Sequence, residues 1–118
     1  MEVQIFGVQK NQDTRKALRF FSERRIKVHF VDLKERPASK GELQRFAQKH
    51  GVDALIDKTS SRYTELGLES VRYDDARWLE KFAQEPLVLA MPLVRWQHKT
   101  SVGLAEDEWR SWIEAGKQ

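Results

Sequence analysis

Asn11, Gln12, Asp13, Thr14 and Arg15 follow a short apolar run, Val3 to Val8, and lead into an amphipathic stretch, so they fall where a helix would begin. Free amide hydrogens and the positive end of a helix dipole gather at such a place, and with Lys10 and Arg15 nearby they could hold an anion. Asp13 opposes that by like charge, and the Asn11 side chain can instead satisfy the same amides as a cap. Both readings stand on the sequence, and neither supplies a nucleophile. The chain has no cysteine, which removes disulfides, thiolate metal sites and thiol attack together. Thr14 offers only a hydroxyl, which would need an activating neighbour.

The other chemistry-bearing residue types are scattered. His29, His50 and His98 lie too far apart for a local metal motif, and no Gly-rich phosphate loop or Gly-x-Ser-x-Gly elbow occurs. The Asp-Asp and Glu-Asp pairs sit at expected helix starts, where capping and the helix dipole account for them. No metal and no cofactor are therefore expected. Trp78, Trp96, Trp109 and Trp112 are core candidates. Trp109 and Trp112 share one helix face, so one could pack inward while the other is left for a partner.

The elements that must position these residues read as follows. Val3, Ile5, Phe6 and Val8 predict a buried strand. Ala17, Leu18, Phe20 and Phe21 form the apolar side of a helix starting near Asn11 and running to about Arg24. Ile26, Val28, Phe30 and Val31, interleaved with Lys27 and His29, predict a second strand. After Arg36-Pro37, Ser39 and Glu42 have the spacing of a capping box, opening a helix to Lys49 that Gly51 can stop. Shorter helical pieces follow at 52–56, 61–66 and 74–83. Leu87-Val88-Leu89 and Leu93 to Trp96 then read as extended, with Val102 as the centre of a third stretch after a turn at Gln97-His98-Lys99. Glu106 to Ile113 predicts a closing helix with acidic residues at its start. The order β-α-β, helical insert (about 39–84), β-β-(β)-α predicts an α/β fold with a mixed sheet.

At 118 residues and 40% hydrophobic content, one domain spanning 1–118 is expected, because a second would have too little apolar surface for its own core. No apolar run approaches a membrane span, and Met1-Glu2-Val3-Gln4 lacks a signal-peptide pattern, so a cytoplasmic protein with no membrane partner is expected. A net charge of +3 is too small to imply direct nucleic-acid binding. The local cluster Arg15, Lys16, Arg19, Arg24, Arg25 and Lys27, interrupted by Asp13 and Glu23, reads as a solvated helix face.

Three segments resemble one family. Ile5-Phe6-Gly7-Val8 with Asn11 to Ala17, then Asp32 to Leu43, then Glu85 to Val94 with Val102-Gly103-Leu104 and Glu106 to Trp109, are together similar to the arsenate reductase (ArsC) and Spx family of thioredoxin-like proteins. The resemblance covers nearly the whole chain and implies a thioredoxin-like fold. It also implies that Pro92 matches the family's cis-proline beside the active site; as bare sequence, Pro92 could equally open an edge strand. Aligned without a gap on Arg15-Lys16-Ala17, the family's nucleophilic cysteine falls at Asn11, or at Gln12 with a shift of one, and the second cysteine or serine at Thr14. The arginine before the cis-proline is Met91 here, and Leu104 stands where arsenate reductases carry another anion-binding arginine.

These departures remove thiol and oxyanion chemistry, so the resemblance implies a protein-binding or regulatory module. Its Spx branch supplies a candidate partner, the C-terminal domain of the RNA polymerase α subunit, docked on a helical surface with a glycine near Gly51. Lys49, Gly51, Lys58 and Arg62 are the candidate partner-binding residues. The competing reading is an arsenate reductase-like or glutathione-binding enzyme that takes its thiol from outside.

Overall fold

The first strand, β1 (Glu2–Gly7), is central because both its faces are apolar: Val3 and Ile5 point one way and Phe6 the other, all three buried. In the computed structural model, which describes residues 1–117, β1 pairs in parallel with β2 (Lys27–Asp32) and antiparallel with β3 (Leu93–Trp96), and β3 pairs antiparallel with β4 (Lys99–Val102). The sheet order is β2-β1-β3-β4, the mixed sheet that the sequence predicts. Helices α1 (Gln12–Glu23) and α5 (Glu106–Gly116) cover one face. Val3, Ile5, Val94 and Trp96 pack there against Ala17, Phe20, Phe21, Trp109 and Trp112. Phe20 and Phe21 both contact the Trp109 ring, at centroid distances of 5.3 and 5.2 Å, and the Trp109 indole donates to Ser101 Oγ at 2.8 Å. Trp109 and Trp112 are both buried, so neither is left for a partner: the helix faces the sheet squarely enough for its i, i+3 pair to enter the core together.

The chain divides into two compact units, Met1–Asp32 together with the stretch from Met91 onward, and Leu33–Ala90. The second unit is helical. Its α2 (Lys40–His50) opens with the expected capping box, Ser39 Oγ accepting from the Glu42 amide at 3.1 Å and the Glu42 carboxylate accepting from the Ser39 amide at 2.8 Å. Gly51 ends it with φ +83°, a region that costs residues with a Cβ but not glycine. Then follow a 3-10 turn (Asp53–Leu55), α3 (Ser61–Glu65), a 3-10 turn (Leu68–Ser70), α4 (Asp75–Gln84) and a third 3-10 turn (Pro86–Val88). Asp74 caps α4 by accepting from the Arg77 amide, as the acidic pair there predicts.

That third turn corrects the extended stretch expected at Leu87-Val88-Leu89. Pro86 at its first position has fixed φ and no amide to donate, and the Val88 and Leu89 amides close back onto Glu85 and Pro86. Only Leu89 keeps a β-type partner, an isolated bridge to Ile56. Val88 and Leu89 are buried, so an apolar run that reads as a strand is a buried turn. The late strands are accordingly a two-strand hairpin, turning at Gln97-His98 with Lys99 already paired to Trp96.

Candidate functional site

β1 ends at Gly7, and the chain turns into α1 through a loop closed by the Asn11 amide donating to the Val8 carbonyl at 3.0 Å. Asn11 is extended (φ −76°, ψ 124°), the geometry of a helix cap, and its Oδ1 accepts two hydrogen bonds: from the Thr14 amide at 2.7 Å and from the Thr14 hydroxyl at 2.9 Å. Thr14 is fully buried and sits against Gly7, where an added Cβ would come within 2.7 Å of the Thr14 methyl carbon. Glycine is thus required at position 7 by close approach, and that approach seats the start of α1 on the end of β1. Arg15 braces the loop, its guanidinium donating to the Gln9 carbonyl at 2.8 Å. Gln12 faces solvent.

Chemically, this place is closed upon itself. The Thr14 hydroxyl gives its proton to a neutral amide oxygen, which is no base, and the Asn11 oxygen that could polarise a ligand is already used twice. Of the two readings of the helix start, the geometry is that of the cap.

Met91 and Pro92 come to the same end of the sheet. The register Phe6↔Leu93 sets the start of β3 beside the end of β1, and the Pro92 carbonyl accepts from the Gly103 amide at 2.8 Å. The Met91-Pro92 peptide is cis, and both residues are buried. Asn11, Gln12, Thr14, Arg15, Met91 and Pro92 therefore belong to one unit and one end of one sheet, as the resemblance implies. Met91 brings a buried thioether to this end of the sheet, and Leu104, 43% exposed, an isobutyl group.

The other four candidates fall in the helical unit. Lys49 lies exposed in the last turn of α2, and Gly51 follows with open space around the position of a Cβ. Lys58 and Arg62 are not open cations. Lys58 Nζ meets Asp53 at 2.8 Å, and Arg62 forks onto Glu85 with two contacts of 2.9 Å while reaching Glu65 at 3.2 Å. The Arg62 guanidinium holds the Glu85 carboxyl below the usual carboxylate range, and the Glu85 and Glu65 carboxylates raise Arg62 in turn. Glu85 is the residue sequence reasoning missed, because it stands 23 positions from Arg62 and no helical spacing links them. The Asn11 cap on the Thr14 amide is the one the sequence offers; the second hydrogen bond, from the Thr14 hydroxyl to the same Oδ1, was missed.

Among the described residues, no group of three or more His, Asp or Glu could hold a metal ion. None of the described helices is long and apolar enough to cross a membrane.

Four strands in a mixed sheet, with a helix start and a cis-proline at one end, define a thioredoxin-like protein, and comparison with known proteins supports it. The ArsC family model matches residues 6–112, so the chain belongs to the ArsC family. It is 27% identical over 112 residues to the uncharacterised protein YusI of Bacillus subtilis (strain 168), covering 92% of this chain and 95% of that protein. It is 29% identical over 105 residues to an arsenate reductase of Neisseria meningitidis serogroup A (strain Z2491), covering 86% and 90%. The solved arsenate reductase from Vibrio cholerae shares the fold with a TM-score of 0.81 at 23% identity, covering 94% of this chain and 97% of that one.

Proposed function

We propose that this ArsC-family chain is a non-catalytic, cytoplasmic protein-binding or regulatory module built on a reductase scaffold. The observation that carries the reading is the state of position 11. Where the family's nucleophile falls, an asparagine oxygen holds both the amide and the hydroxyl of Thr14. A thiolate attacks because it is charged and polarisable; an amide oxygen is neither, and here its lone pairs are committed to a buried partner. Met91 and Leu104 in place of cations support the same conclusion, since oxyanion chemistry needs charge stabilisation that they do not supply.

The partner we propose is the C-terminal domain of the RNA polymerase α subunit, on the strength of the resemblance to the Spx branch. The surface offered is that of Lys49 and Gly51, with Lys58 and Arg62 in the same helical unit. Space around the Gly51 Cβ position is open, but its φ of +83° strains any side chain there, so Gly51→Arg is read only once circular dichroism shows the variant folded. The ion pairs of Lys58 and Arg62 make those two residues fixed, charge-compensated features of the surface instead of free cations.

The test is affinity capture from native cell extract with the tagged protein, identified by mass spectrometry and repeated with Gly51→Arg. Recovery of RNA polymerase that the variant loses is the expected outcome. A different stable partner, or polymerase recovered equally by the variant, overturns this assignment.

A further inference from the structure

Charge is unevenly divided along the chain. Residues 10–27 carry seven Lys and Arg against two Asp and Glu, while the remaining residues carry 14 against 16. The ion pairs involve Arg36, Lys58, Arg62, Arg77 and Arg110, and among the described residues none includes a cation of 10–27. Lys16 and Arg19 stand exposed with no side-chain hydrogen bond. Those five cations are compensated by carboxylates, whereas Lys16 and Arg19 face solvent side by side on one helix.

The face that carries them is also shaped. Lys16, Arg19, Phe20, Glu23 and Arg24, at helical spacing on α1, line a shallow depression of about 230 Å³ together with Glu106. Its floor is Phe20, 4% exposed. The Arg24 guanidinium lies 3.7 Å from the Phe20 ring centroid, and its Nη1 donates to the Phe20 carbonyl at 2.9 Å. That stacking fixes the planar fork while leaving its remaining N–H groups free, which is the arrangement that binds a carboxylate in bidentate fashion at low entropic cost.

We infer that the Lys16, Arg19 and Arg24 face of α1 is a docking surface for an acidic protein segment, one bearing Asp or Glu side chains at helical or extended spacing. Charge complementarity identifies the occupant's chemistry. Glu106 on the rim is already compensated by Arg110 at 3.2 Å, and Glu23 favours a segment that sets Asp or Glu against the cations and a Lys, Ser or backbone N–H against Glu23. This surface lies on α1, not on the helical unit that holds Gly51, and it does not depend on the polymerase assignment or on the loss of catalysis.

The experiment is an anisotropy titration of a fluorescein-labelled peptide rich in Asp and Glu, using the full chain, with backbone amide shifts followed by NMR. Saturable binding that weakens as salt rises is expected, with shifts centred on Lys16, Arg19, Phe20 and Arg24. Lys16→Glu/Arg19→Glu is expected to weaken it by at least about tenfold, and Lys40→Glu, at an exposed position outside both surfaces, to leave it unchanged. Circular dichroism checks the fold of the double variant; if it is unfolded, the wild-type shift map decides. No saturable binding, shifts away from α1, an equal loss in Lys40→Glu, or tighter binding of a single-stranded oligonucleotide of equal charge each overturns the inference.

Discussion

Helices α1 and α5 do the same packing work and present themselves to solvent in opposite ways. Both send aromatic pairs into one core, Phe20 and Phe21 from α1, Trp109 and Trp112 from α5. At their starts they diverge. α1 begins on Asn11, whose side chain takes two hydrogen bonds; α5 begins on Ala105, which gives none, and Glu106, Asp107 and Glu108 in its first turn complement the dipole instead. Their charges diverge too: Arg110 of α5 is held by Glu106 at 3.2 Å and Asp107 at 2.9 Å, whereas among the described residues no ion pair includes a cation of α1. A shared core thus leaves the outer surface and the helix start free to change. In this chain, which has no cysteine, the start of α1 is an asparagine cap seated on that core.

The sharpest way to break the shared core is Trp109→Ala, which removes a fully buried indole and orphans the Ser101 hydroxyl. A loss of about 3–5 kcal/mol is expected by chemical denaturation. Gly7→Ala comes next, at about 1–3 kcal/mol, because the new methyl overlaps Thr14. Adding Thr14→Ala should make the double variant less destabilised than the sum of the two singles, which a double-mutant cycle measures. Strict additivity would mean that Gly7 and Thr14 do not meet.

Asn11→Ala should cost about 1–2 kcal/mol, as it removes a cap and leaves a buried hydroxyl without its acceptor. Its counterpart on α5, Ala105→Ser, should change stability by less than about 0.5 kcal/mol, because φ −138° and ψ 54° lie outside the extended geometry in which a serine caps. Equal effects at the two starts would remove the contrast drawn between them.

The elements that local chemistry specifies were legible in the sequence. Ser39 and Glu42 announce α2, Gly51 its end, and the alternation of Val3, Ile5, Val28 and Phe30 the two parallel strands. Leu87-Val88-Leu89 misled because burial, not strand geometry, accounts for its apolar character, and Pro86 decides the turn. At the site, Asn11, Thr14, Met91 and Pro92, which the resemblance singles out, lie at one end of the sheet. Arg62 entered only as a candidate partner-binding residue, because its partner Glu85 is distant in sequence and pairing across such a separation leaves no periodic trace. The same limit hid the contrast between α1 and α5, since only the fold shows which cations meet a carboxylate.

The most direct test of the central claim is an arsenate-reduction assay supplied with glutathione and glutaredoxin as outside thiols. No rate above the protein-free control is predicted, for wild type and Asn11→Ala alike. Turnover that persists through repurification and is abolished by Asn11→Ala or Thr14→Ala would contradict the account and make the closed start of α1 a working active site.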